Sequence, residues 1–154
     1  MKRIYVSWLL CVIFVTVSQA SFARVQAGKD SKAPSLYQRI GGYDSLAAIF
    51  DEVGGRMAAD PQLEQFFKGH STDTLLNQRQ RALEFLCHEM GGPCAYTGRP
   101  LKRAHGGLAI NESQWKAFLG HLTATLDHQK VAEKEKGEML ALVGHFKSEI
   151  VEKK

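Results

Sequence analysis

From Leu36 to Ile150 the apolar residues recur with helical spacing, and glycine and proline mark the places where that spacing stops. Leu46, Ile49, Phe50, Val53 and Met57 fall at i, i+3, i+4, i+7 and i+11, which lines one face of a helix, with Asp44 placed to cap its start. Gly54-Gly55 lie inside that stretch and together cost on the order of 2 kcal/mol relative to alanine. Either the helix ends at Val53 or the missing side chains leave room for something. Asp60-Pro61 opens a short turn that runs to Phe66-Phe67 and stops at Gly69, since the first helical position tolerates proline's missing N–H.

A longer helix is predicted from about Thr74 to Met90. Leu75, Gln78, Ala82, Phe85, Leu86 and Glu89 share a broad face, with Gln80, Arg81 and Glu84 turned elsewhere. Gly91-Gly92-Pro93 stops it. Asn111 and Gln114 make a capping box ahead of the stripe Trp115, Phe118, Leu119, Leu122 and Leu126, and a last helix carries Met139, Val143, Phe146 and Ile150. No segment alternates as a strand and no repeat appears, so the class is all-α, with four main helices and short pieces.

The N-terminus follows a different pattern. Lys2 and Arg3 precede the apolar run from Trp8 to Val15, and small residues follow at Ser18 and Ala20. This is the pattern of a secretory signal, with Ala23 a second cleavage point, and the run is shorter than the roughly 20 residues that span a bilayer. The expected organisation is a signal peptide over 1–20, a flexible leader over 21–35 and one folded domain over 36–152, exported to the periplasm. Removing Lys2 and Arg3 takes the formal charge from +4 to +2, too little to indicate a nucleic acid or, after cleavage, a membrane as partner. Cleavage also removes Cys11 and leaves Cys87 and Cys94 in an oxidising compartment. A bridge between them and two independent cysteines both fit.

Enzyme signatures are mostly missing: there is no phosphate-binding glycine loop, paired-cysteine metal motif, histidine-rich zinc helix or nucleophile elbow. Among the six histidines, His105 has the least regular setting, in Gly98-Arg99-Pro100-Leu101-Lys102-Arg103-Ala104-His105-Gly106-Gly107. A glycine-bearing approach lets backbone come close to a large flat ligand, and a neutral imidazole can give a lone pair to iron. A surface histidine in a cationic loop fits the same residues. His70, Arg81, His88, His121, His128 and His145 read as surface positions.

Leu36-Tyr37-Gln38-Arg39-Ile40-Gly41-Gly42, Met57-Ala58-Ala59-Asp60-Pro61 with Phe66-Phe67, Gly91-Gly92-Pro93 with Tyr96-Thr97-Gly98, and Ala104-His105-Gly106-Gly107-Leu108 occur in the order seen in group I truncated haemoglobins. The chain resembles that family over roughly residues 35 to 151. The resemblance implies a two-over-two helical sandwich around haem b, with His105 as the proximal iron ligand. It makes Phe67 the ring packed on the haem face and leaves Phe66 in the core. Gln78 matches a distal glutamine that hydrogen-bonds the bound ligand, although a solvated helix edge would also suit it. Ala82, Phe85, Leu86, Tyr96, Leu101, Leu108 and Trp115 are the implied lining, and Lys102 and Arg103 can reach the propionates.

Two departures fall on the distal side. Relatives commonly carry Phe-Tyr where this chain has Val53-Gly54, and a second glutamine where it has Ala82. Both losses remove donors that favour dioxygen over less polar diatomics. The resemblance therefore implies reversible binding of dioxygen, nitric oxide or carbon monoxide at the iron, and it names no redox partner. A nitric oxide dioxygenase or peroxidase-like enzyme, and an electron-transfer or sensing protein with His70 as internal sixth ligand, are the alternatives.

Overall fold

The Oγ of Ser35 accepts the Gln38 N–H while the Gln38 side chain accepts the Ser35 N–H, and this capping box starts α1 (Leu36–Arg39). In the computed structural model, which describes residues 33–152, there follow α2 (Gly42–Ala59), a 3₁₀ turn (Glu64–Phe66), α3 (Thr72–Glu89), α4 (Leu101–His105), α5 (Glu112–His128), α6 (Glu133–His145) and α7 (Lys147–Ile150). Among the described residues there is no strand, and α2, α3, α5 and α6 are the four main helices. The expected signal peptide lies outside the described residues.

Asp44 does not cap α2. The helix starts earlier, at Gly42, because Gly41 and Gly42 adopt φ of 103° and 77° and turn the chain directly out of α1. Asp44 sits in the first turn, where its charge favours the positive end of the helix. Nor does α2 end at Val53: it runs through Gly54-Gly55 to Ala59, and a Cβ at either glycine would meet nothing within 4 Å. The reading in which the helix ends at Val53 is therefore overturned.

Ser71 caps α3 by accepting the Thr74 N–H. Its buried stripe is Leu83 and Cys87, continued by Met90, one position away from the expected face. On that expected face Leu75, Ala82, Phe85 and Leu86 are half-buried, and Gln78 and Glu89 are exposed. The helix carries apolar residues on two adjoining faces, and a period alone does not say which of them meets the core. Leu83 and Cys87 pack with Leu46, Ile49 and Val53 of α2, Leu122 and Leu126 of α5, and Met139 of α6. The last helix is also interrupted: the Phe146 N–H turns back to the Gly144 and Val143 carbonyls, separating α6 from α7. Asn111 and Gln114 form the expected capping box on α5.

Polar ties hold the helix ends. Arg39 of α1 pairs with Glu135 and Glu138 of α6. Glu52 of α2 accepts from His128 at 2.9 Å, Gln129 at 2.7 Å and Arg56 at 2.8 Å. Those bonds, His128 foremost, then Arg56 and Gln129, bring its carboxyl down from 4.5 to about 2. Because the folded value is the lower one, this contribution to stability is complete above pH 4.5 and fades as the pH falls toward about 2. Urea denaturation across that window should show stability falling with acid, and falling less steeply in Glu52→Gln. Equal slopes in the two proteins would refute the assignment.

Candidate functional site

Pro100 stands just before α4, where a fixed φ of −50° and the lack of an N–H do no harm. The helix is five residues long and ends in His105, which is half-buried. Nδ1 of His105 lies 3.0 Å from the Leu101 carbonyl oxygen. A carbonyl only accepts, so Nδ1 carries the proton and Nε2 keeps its lone pair. This is the tautomer of an imidazole ready to bind a metal through Nε2. Among the described residues no group of three or more His, Cys, Asp or Glu side chains is placed to hold an ion. The donor set here is one imidazole, which suits a metal already held by its own macrocycle.

The chain leaves α4 irregularly. Gly106 turns it into extended conformation, and a Cβ there would come within 3.0 Å of the Lys102 carbonyl oxygen. Gly107 and Ala109 have φ of 85° and 54°, and the Leu108 N–H returns to the His105 carbonyl at 3.2 Å. Beyond α7, Glu152 closes on this segment: its carboxylate accepts the Gly107 N–H at 2.8 Å and the Ala109 N–H at 2.6 Å. Its own N–H donates to the Ile110 carbonyl at 2.9 Å.

Several expected lining residues come together. The rings of Phe85 and Tyr96 meet edge to face at 5.2 Å, and Phe85 meets Phe146 in the same manner at 5.1 Å. The Tyr96 hydroxyl donates to the Arg99 carbonyl at 2.5 Å, folding the loop that leads into α4. Leu86 lines a wholly apolar cavity of about 50 Å³ with Phe50, Val53, Phe118 and Val143. Trp115, 4 % exposed, tilts against Phe118 at 5.4 Å. Ala82 and Leu101 are half-buried, as is Phe67 at the end of the 3₁₀ turn. Lys102 and Arg103 are exposed, Leu108 is 46 % exposed, and Gln78 stands exposed on α3. Phe67 and Gln78 precede His105 on separate elements, and neither shares a ring contact or hydrogen bond with it.

The remaining histidines depart in part from a plain surface reading. His70 is exposed, His145 sets its ring edge-on to Phe146, and the His88 Nδ1–H faces the Cys94 carbonyl. His121, however, is half-buried and donates through Nε2 to Asp60 at 2.7 Å. The Gln62 N–H first and His121 second hold the Asp60 carboxyl below its ordinary range. His121 and His128 thus serve different carboxylates and do not form a shared metal face.

Arg79 and Asp51 were not singled out by sequence. Arg79 reaches from α3 to α2, with Nη2 2.7 Å from Asp51 Oδ2, and fixes the helix that carries Gln78 and Ala82 against the one that carries Gly54. The pair holds the Asp51 carboxyl below its usual range. Cys87 and Cys94 are bridged, with Cα atoms 5.8 Å apart, so the loop between α3 and α4 is covalently tied to the core. Glycine makes the return possible: Gly91 has φ of 75°, and the Gly92 N–H donates to the Cys87 carbonyl at 2.7 Å.

Residues 35–152 match the model of the bacterial-like globin family. The chain is 31 % identical to the group 1 truncated hemoglobin of Mycolicibacterium paratuberculosis, over 79 % of this chain and 88 % of that protein. It superposes on the hemoglobin of Chloroflexus aurantiacus with a TM-score of 0.68 and 28 % identity, covering 77 % and 98 % of the two chains. The 2/2 hemoglobin of Synechococcus, at 23 % identity, shares the fold with a TM-score of 0.65, over 72 % of this chain and 91 % of that one.

Proposed function

The chain belongs to the bacterial-like globin family, among the group 1 truncated haemoglobins, and on that premise we propose how its residues hold haem and a small diatomic ligand. The protein binds haem and, through it, ligands such as dioxygen; its fold is the two-over-two helical sandwich of the family. When bound, haem would supply an iron centre able to take a diatomic ligand. His105 Nε2 would be its protein donor, and the reading is carried by the hydrogen bond that the His105 Nδ1–H donates to the Leu101 carbonyl at 3.0 Å. Phe67, Ala82, Phe85, Leu86, Tyr96, Leu101, Leu108 and Trp115 are the residues that would line the haem. The exposed Lys102 and Arg103 meet the propionates at the solvent edge. Nitric oxide and carbon monoxide are bound at the same position. Absorption spectra of the haem-loaded chain in ferric, ferrous and carbon monoxide forms test the whole reading, and a chain that takes up no haem stoichiometrically would end it.

Gln78 offers the ligand one amide donor, while Gly54 and Ala82 offer none. The open space beside Gly54 supports this. Introducing a phenol there should slow dioxygen release: Gly54→Tyr is expected to lower the rate about tenfold, the worth of one good hydrogen bond, with carbon monoxide release little changed. Stopped-flow measurement decides it, and an unchanged dioxygen rate with fold and haem content intact would place position 54 away from the ligand.

Export belongs to the same proposal. A signal peptide over 1–20 and a leader, followed by a domain that takes in Ser35 because that residue caps α1, put the protein in an oxidising compartment, and the Cys87–Cys94 bridge supports that setting. The intact mass of the chain recovered from a periplasmic fraction should lack residues 1–20; recovery only from the cytoplasm with Met1 to Ala20 attached would refute it.

A further inference from the structure

The short helix that carries His105 has little of its own to orient it. Neither end of α4 has a side-chain cap, and its C-terminal residue passes into Gly106 in extended conformation. The Nδ1–H bond to the Leu101 carbonyl orients the ring relative to α4, so what places the end of α4 must act on the segment that follows. Three hydrogen bonds from Glu152 converge there: its two carboxylate oxygens take the amides on either side of Leu108, and its N–H reaches the Ile110 carbonyl. Between those amides the backbone adopts positive φ at Gly107 and again at Ala109. A non-glycine residue keeps that conformation only where its surroundings impose it. A carboxylate bound by backbone N–H groups is a charge-assisted contact, stronger and shorter than a neutral one. The α7 helix packs on α4, and the pair Lys147–Glu112, at 2.8 Å, ties the same tail to α5 independently of Glu152.

We propose that Glu152 is a positioning residue for the proximal imidazole: by gripping the Gly107 and Ala109 amides it holds the end of α4 in place and, together with the Leu101 bond, fixes how the His105 ring is presented. This rests on the reading of His105 as the axial donor. Glu152 is exposed, so its worth lies in geometry more than in overall stability. Glutamine keeps one acceptor oxygen and alanine keeps none, so the two replacements grade the effect.

The test uses the haem-loaded full chain with Glu152→Ala, Glu152→Gln and, as a control for tail docking, Lys147→Ala. The histidine–iron stretching band of the ferrous form in resonance Raman spectra reports the ring's orientation. Haem transfer to excess apomyoglobin reports retention, and hydrogen exchange of the Gly107 and Ala109 amides in the haem-free chain reports the grip itself. Glu152→Ala should shift or broaden the band, expose both amides and speed haem loss about fivefold, the fold-change carried by one hydrogen bond of ordinary net strength. Glu152→Gln should fall between it and the parent, and Lys147→Ala should leave the band in place. An unaltered band in Glu152→Ala overturns the proposal, as does an equal shift in Lys147→Ala, which would assign the effect to the tail as a whole. A parent without any histidine–iron band would remove the axial assignment first, and this inference with it.

Discussion

His105→Gly is expected to abolish histidine ligation in the haem-loaded chain, with the ferrous and carbon monoxide spectra losing their histidine character and haem escaping at least tenfold faster. No second imidazole is positioned to replace it. His88 is turned to the Cys94 carbonyl, His121 to Asp60, His128 to Glu52 and His145 to the Phe146 ring, His70 is exposed, and none of the five lies on α4. Glycine adds no new bulk, so free imidazole should enter the space left and restore the spectrum in part. The measurement is an absorption titration of the variant with imidazole, beside the parent. Spectra identical to the parent before any imidazole is added would mean that the axial donor is another residue.

Opening the Cys87–Cys94 bridge should be the largest perturbation of stability. For a loop closed over so few residues, the chain-entropy relation gives about 2.5 kcal/mol. One of its ends is fully buried among Leu46, Leu83 and Leu126. Cys87→Ser with Cys94→Ser should therefore cost more than reduction alone, because a hydroxyl would enter the apolar core. Urea denaturation with and without a dithiol reductant gives the first quantity, and the double variant gives the second. An unchanged midpoint on full reduction would show that the bridge adds nothing to the folded state.

Where a signal is local, the chain announces its structure. Asn111 and Gln114 sit three apart ahead of a strong apolar stripe, and the cap they predict is the cap that forms. What depends on distant partners is hidden. The α3 stripe is displaced by one residue because Ala82, Phe85 and Leu86 compete with Leu83 and Cys87 for the inner face, and only the position of α2 decides between them. The break at Phe146 falls inside an unbroken helical period. Asp44 fits a cap by type, but the turn made by Gly41-Gly42 leaves it no cap to fill. Glu152 gave no sign at all, since its partners are backbone amides and any sequence supplies those. At the site, the irregular surroundings of His105 were legible as unusual; periodicity did not separate a ligand from a surface histidine, and family resemblance supplied that difference. His121 looked ordinary because its carboxylate lies far away in the chain, at Asp60.

The neutral carbonyl that receives the His105 Nδ1 proton has a further chemical consequence. An imidazole whose outer proton rests on a carboxylate takes on imidazolate character and becomes a stronger electron donor, whereas one resting on a peptide oxygen does not. With haem bound, a donor of this second kind would supply less electron density to the iron and would favour its reduced state. On the proposed axial role of His105, the polarity of one backbone acceptor, Leu101, would favour exchanging ligands unchanged over breaking them.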